Sequence, residues 1–182
     1  MNALFNYIYK IFKGSSYSKR GDLSCCDPAP AKPTPKSIPT EVTCKTNTAE
    51  VKINYNAPAV RGRIIWGGLV PYGQPWVTGA HDATAIEISK DFSIGGKIVS
   101  AGKYAIFTIP GPDEWAVILN RNWKQHLTDE YDQTEDVVRF SVVPHKLESL
   151  HERLEYSLSE KAGGVVVSMH WEYTEISFVI EI

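Results

Sequence analysis

The sequence predicts an all-β protein: an antiparallel β-sandwich, jelly-roll connectivity being one arrangement, behind a disordered or partly helical N-terminal tail. Three observations carry this. Apolar residues alternate with polar ones at a period of two over most of residues 41–182. Turn residues interrupt these runs every eight to twelve positions or so, as in all-β domains. Helical periodicity is nearly absent from the same region.

The elements follow in order. Val51, Ile53 and Tyr55 alternate with Lys52 and Asn54, and Ala85, Glu87 and Ser89 alternate with Ile86 and Ile88. Residues 92–99 read as a hairpin turning at Gly95-Gly96, since paired glycines supply the positive φ of a tight hairpin turn. Ala101-Gly102 is a short bend into a strand over 103–109. Gly111-Pro112-Asp113 is a reverse turn leading to a strand over 114–120. Further strands are expected over 136–143, 152–158, 165–171 and 175–182, with Gly163-Gly164 opening a turn. One helical turn is expected over 122–127, capped by Asn120 or Asn122.

Composition limits the function classes. The 182 residues are 43% hydrophobic and 11% aromatic, enough for one domain with a core of large flat side chains. A formal net charge of −2 gives no argument for nucleic-acid binding. Charge is unevenly divided, however. Residues 1–40 carry Lys10, Lys13, Lys19, Arg20, Lys32 and Lys36 against Asp22 and Asp27, leaving 13 basic and 19 acidic residues for the rest. A basic tail on an acidic domain suits either a solvated linker or a contact with an anionic membrane surface through residues 1–20.

The tail divides further. Residues 3–12 place Leu4, Phe5, Ile8, Ile11 and Phe12 at helical spacing beside Lys10, which fits an interfacial amphipathic helix. The apolar run is too short to span a bilayer and has neither the basic start nor the cleavage site of a signal peptide. Residues 28–39, PAPAKPTPKSIP, are a semi-rigid proline spacer, so the tail and linker are assigned to 1–40 and the folded domain to 41–182. Cys25, Cys26 and Cys44 have no metal-ligand spacing and read as free thiols, which favours a reducing compartment. The location is not fixed by the sequence; this N-terminus suggests the cytoplasm or a membrane surface.

Residues 58–87 are the most informative stretch. They hold five Gly, three Pro, Trp66, Trp76, Tyr72, Arg61 and Arg63 in a segment too irregular for a helix and too long for a plain turn. Long ordered loops of this kind are functional or organise the fold. Arg61 and Arg63, two apart, would share one face of an extended chain and grip a carboxylate or phosphate. The architectural alternative pairs them with Glu87, Asp136 or Asp82 to pin the loop. Arg139, within an apolar strand, reads as a paired structural arginine. Trp66, Tyr72, Trp76 and Trp115 form either a stacking platform for carbohydrate or a roof over the core. His81-Asp82, with Thr78 and Thr84 nearby, suggests a general base for a hydrolase or lyase acting on a small polar substrate. Neighbours in an extended chain point opposite ways, so a structural turn built on Asp82 is the competing reading.

No cofactor motif, phosphate-cradling glycine loop or nucleophile elbow is present, and His126, His145, His151 and His170 have no metal-ligand spacing. The candidate ligand-binding residues are therefore Arg61, Arg63, Trp66, Tyr72, Trp76, Thr78 and His81, with His81 and Asp82 as the catalytic pair if there is catalysis. The ligand they suit is a carbohydrate or a small anion.

The runs Pro58–Arg63, Ile65–Gly73 and Trp76–Thr84 resemble domain of unknown function 2911, a bacterial family. The resemblance continues through Ser89-Lys90-Asp91, Ala101–Tyr104, Ile109-Pro110-Gly111, Glu114-Trp115, Asp136-Val137, Arg139 and the strands around Trp171, covering about 45–182. It implies a compact β-rich domain, often exported and thus of the cell envelope, with no known activity, cofactor or catalytic residue. Two positions depart from the family pattern: Val77 stands where Arg is expected, and His81-Asp82 where Asn-Glu is expected.

Overall fold

The computed structural model describes residues 36–182. Two antiparallel sheets face each other as a sandwich. The larger contains β1 (Ser37–Lys45), β2 (Glu50–Pro58), β3 (Thr84–Ile88), β6 (Gly102–Ile109), β7 (Trp115–Asn120) and β8 (Asp136–Val142), in the order β1-β2-β3-β6-β7-β8. The smaller contains β4 (Phe92–Ile94), β5 (Lys97–Val99), β9 (His145–Lys161) and β10 (Gly164–Glu181), in the order β5-β4-β10-β9. The chain runs as a meander with two excursions into the smaller sheet, rather than as the interleaved Greek keys of a jelly roll.

Alternation explains the core. Val51 and Ile53 of β2, Ile86 and Ile88 of β3, and Val117 and Leu119 of β7 turn inward and are almost fully buried. They meet Leu154 and Tyr156 of β9 and Val165, Val167, Met169 and Trp171 of β10. A second, smaller cluster forms on the opposite face of the larger sheet. There Ala105, Phe107 and Ile118, one step out of phase with the main core, are covered by Val77 and Ala83 and by Trp76, Trp123 and Tyr131. Strands β6 and β7 are therefore buried on both faces at this point.

Most predicted elements are present, and the Gly95-Gly96 turn between β4 and β5 has φ of 56° and 76°. Four differences have physical causes. First, β1, a strand not expected from the sequence pattern, begins at Ser37, ahead of the domain start expected at residue 41; Pro39 lies in it because β1 is an edge strand, where a missing donor is tolerated. Second, the runs 165–171 and 175–182 are one strand. Register shifts on either side of Glu172, which takes φ 57°, bend β10 without ending it. Third, β9 is longer than the expected 152–158 and pairs β10 along most of its length. Fourth, 122–127 is not helical. The Asn120 carboxamide oxygen accepts the Asn122 N–H (2.9 Å), Leu127 takes φ 50°, and 125–127 pairs with 81–83 instead. Among the described residues one 3-10 turn occurs, at Gln133–Glu135, where the Asp132 side chain accepts the Thr134 N–H.

The tail expectations (the helix at 3–12, the proline spacer up to residue 35, Cys25 and Cys26) lie outside the described residues. Cys44 is a half-buried free thiol on β1.

Candidate functional site

The loop between β2 and β3 is not one surface. It separates the candidate residues into three environments, each pinned by backbone hydrogen bonds.

At its start, Ala59 forms a strand-like antiparallel bridge with Arg153 of β9, and the Val60 N–H donates to the Glu152 carbonyl (2.7 Å). The chain then turns sharply through Arg61 (φ 53°) and Gly62 (φ 67°), so Arg61 and Arg63 do not share a face of an extended strand. The Arg63 guanidinium folds back, donating from Nε to the Val60 carbonyl (3.0 Å) and from Nη2 to the Ala59 carbonyl (2.5 Å). The Arg61 N–H donates to the Glu152 carboxylate (2.9 Å). Among the described residues the expected ion pairs to Glu87, Asp136 and Asp82 do not form; Asp136 is taken by Arg139, and Asp82 lies beside His126. Instead the two arginines line an open cleft of about 360 Å³ together with Lys36. Lys36 is brought there because its carbonyl accepts the Ala59 N–H (3.1 Å) as β1 begins beside the end of β2. Neither arginine makes an ion pair with a carboxylate among the described residues.

In the middle of the loop, Trp66 and Trp76 join Trp115 of β7 and Trp171 of β10. The Trp66 ring stands edge-on to the other three at centroid distances of 5.7, 4.7 and 5.7 Å, and Trp76 stacks on Trp171 at 5.6 Å. These offset and edge-to-face contacts occupy the ring faces a sugar would use, so both loop tryptophans roof the core. Trp76 Nε1 donates to the Gly79 carbonyl (3.1 Å), whereas Trp66 Nε1 and Trp171 Nε1 are buried without an acceptor. Tyr72 is separate from this cluster, 45% exposed, with its ring over Gly67.

At the end of the loop, Thr78 is fully buried at φ 50°, an unusual conformation for a β-branched residue. Its hydroxyl donates to Thr108 Oγ1 (3.1 Å), and its carbonyl accepts from Thr84 Oγ1 (3.0 Å) and the Tyr156 hydroxyl (3.1 Å). Burial is the main reason the Tyr156 phenol is pushed far above its ordinary pKa. Thr78 is thus a structural hinge with no free polar group to offer a ligand.

His81 is exposed at φ 62°, with Nε2 2.8 Å from Ser37 Oγ. Asp82 does not orient it: its carboxylate lies 3.6 Å from His126 Nδ1. The His81 and His126 rings stack at 6.3 Å. His81 is therefore bonded to Ser37, the chain neighbour of the cleft residue Lys36, while Asp82 turns to His126.

Sequence reasoning missed Lys36, hidden in a proline-rich stretch, and two other groupings. The Tyr131 hydroxyl donates to Asp136 Oδ2 (3.0 Å) and accepts from Arg139 Nη2 (2.9 Å), which also donates to Asp136 (2.9 Å). Burial first, and then the Asp136 carboxylate, raises the Tyr131 pKa to about 12. The same carboxylate keeps the Arg139 guanidinium above its ordinary value. The second grouping is His151 stacked on His170 at 5.2 Å, with Glu175 3.4 Å from His170. Only strand pairing brings these together, and no local spacing announces them.

The fold and this geometry define a β-sandwich domain with a cationic cleft beside the start of its first strand and a tryptophan cluster closing its core. The chain belongs to the family described as Protein of unknown function (DUF2911), whose model matches residues 37–180. No match was found among curated proteins or among solved structures.

Proposed function

We propose that this domain is a binding module for a small anion, held in the cleft lined by Lys36, Arg61 and Arg63. The observation that carries the reading is that three cationic residues line one open cleft, with no ion pair for either arginine among the described residues. Guanidinium groups suit carboxylate and phosphate because their donors match two oxygens at once. The Arg63 guanidinium is already oriented by two backbone carbonyls, which lowers the entropy lost on binding. His81 is bonded to Ser37, the residue after Lys36, and is not among the described residues that line the cleft.

Carbohydrate recognition through stacking on Trp66 and Trp76 is disfavoured by their inward packing, so a sugar ligand would be an anionic one. A hydrolase or lyase with His81 as general base is the weaker reading, since Asp82 engages His126 rather than His81.

Titration calorimetry of the full chain with inorganic phosphate and with citrate tests the proposal. The expected result is saturable binding weakened at least about tenfold in Arg61→Ala/Arg63→Ala, the loss of one or two charge-assisted contacts. Absence of saturable binding to either anion would sink it.

A further inference from the structure

Beyond the cleft, the loop carries three large apolar side chains into solvent. Ile64 is 79% exposed, Leu69 47% and Tyr72 45%. Single exposed apolar residues are ordinary, but these three share one tip. The Leu69 N–H donates to the Ile64 carbonyl (3.0 Å), and a Cβ on Gly68 would strike Ile64, so the two aliphatic residues are neighbours. The Tyr72 ring lies against Gly67 in the same turn. The tip is closed by further bonds from Gly67 N–H to the Val70 carbonyl (2.9 Å) and from Val70 N–H to the Ile65 carbonyl (2.9 Å). Ile65 and Val70 are buried beneath it. The exposure is therefore built into a closed turn anchored in the core.

The charges next to this tip decide what it suits. Residues 58–80 contain no acidic residue, and their charged side chains are Arg61 and Arg63. Lys36 adds a third cation at the cleft. The preceding 35 residues enter the domain at Lys36 and carry five basic residues against Asp22 and Asp27. The acidic groups in and around the loop include Asp82 beside His126 at its far end, Glu152, which accepts the Arg61 N–H, and Asp113 and Glu114 in the turn after Pro110, whose carbonyl accepts the Gly73 N–H. Aliphatic and aromatic side chains on a tip, flanked by arginine and lysine, combine the two terms of interfacial binding: apolar burial among acyl chains and attraction to headgroup phosphates.

We infer that the Ile64/Leu69/Tyr72 tip, with Lys36, Arg61 and Arg63 beside it, docks the domain on an anionic lipid surface. This rests on the anion-binding reading of the cleft and extends it to lipid headgroup phosphates. Apolar side chains enter the acyl boundary while the arginines remain at headgroup depth, which their longer polar side chains permit.

The test is co-sedimentation of the full chain with phosphatidylcholine vesicles, with and without phosphatidylserine. Wild type is expected to partition onto the serine-lipid vesicles, with affinity falling as salt rises. Ile64→Ser/Leu69→Ser is expected to lower that partition at least about tenfold while leaving inorganic phosphate binding and melting temperature unchanged. Arg61→Ala/Arg63→Ala is expected to weaken both vesicle and phosphate binding. A Leu69→Trp variant should show a blue-shifted emission on the same vesicles. If the Ile64/Leu69 variant sediments as wild type does, the inference is overturned, because contact then lies elsewhere in the chain. It is equally overturned if that variant changes the oligomeric state, which would make the tip a self-association surface. Phosphate binding lost with tip-dependent vesicle binding retained would remove the small-anion reading alone.

Discussion

The hydroxyl of Tyr156 donates to the Thr78 carbonyl across 3.1 Å, tying an edge strand of the smaller sheet to a loop 78 residues earlier in the chain. The Tyr156 N–H in turn donates to the Tyr55 hydroxyl (3.2 Å), and the two phenol rings pack edge-to-face at 4.9 Å. Strands β2 and β9 and the end of the long loop therefore meet at one buried polar point. Thr78 needs this support, since a buried β-branched residue at positive φ costs about 1–3 kcal/mol.

Tyr156→Phe removes one of two donors to the Thr78 carbonyl, the other being Thr84 Oγ1. Equilibrium denaturation in urea is expected to show a loss of about 1–2 kcal/mol with an unchanged m-value. A loss below the error of the measurement would mean that Thr84 alone satisfies the carbonyl.

Alkaline pH should destabilise the domain through Tyr131. Its pKa is raised from 10.0 to about 12 by burial and by Asp136. Between those values the native state holds a proton that the unfolded state has released, so stability falls as pH rises. The contribution is intact below pH 10.0 and lost as pH passes about 12. Thermal melts over this range should show a shallower decline for Tyr131→Phe than for wild type.

Truncating the tryptophan cluster should cost more than removing any single polar contact. Trp115 and Trp171 are almost fully buried, and Trp115→Ala is expected to lose about 3–5 kcal/mol, or to leave no folded protein. Trp171→Phe keeps a ring in place and removes an indole N–H that has no acceptor. It should therefore lose distinctly less, measured by chemical denaturation followed by far-ultraviolet circular dichroism.

The two arginines of the cleft should separate in stability. Arg61 contributes only its backbone N–H to the fold, so Arg61→Ala should remain within about 0.5 kcal/mol of wild type. Arg63 ties two carbonyls, and Arg63→Ala should cost about 1–2 kcal/mol. Equal losses in differential scanning calorimetry would contradict this division.

Gly164→Ala should be strongly destabilising even though the residue lies in a strand. A Cβ there would collide with the Ile180 carbonyl, a backbone atom that cannot swing away. A loss of about 1–3 kcal/mol is expected in urea denaturation. Gly163→Ala offers a contrast: at φ 80° it is conformationally strained but faces open space.

Period-two alternation in Val51–Tyr55 or Val165–Met169 is a local property, because consecutive side chains must point to opposite faces. It was sufficient to identify most strands from β2 onward and the all-β class, while paired glycines marked the turn at 95–96; β1 went unread. The resemblance carried by Pro58–Thr84 was equally a matter of local sequence. Alternation does not say where a strand stops when a bulge absorbs the break, so the runs on either side of Glu172 read as two. Local capping chemistry likewise pointed to a helix at 122–127, yet pairing with 81–83 outweighed it.

The candidate residues show the same division between local and long-range information. Sequence alone drew attention to the loop and named Arg61, Arg63 and His81 among its candidate groups. Tertiary structure decided that Trp66 and Trp76 turn inward, that Asp82 serves His126, and that Lys36 joins the arginines. The reason is that side-chain direction in an irregular loop is set by the long-range bonds that pin it, here to β6, β9 and the 121–131 segment, and spacing along the chain carries no record of those partners.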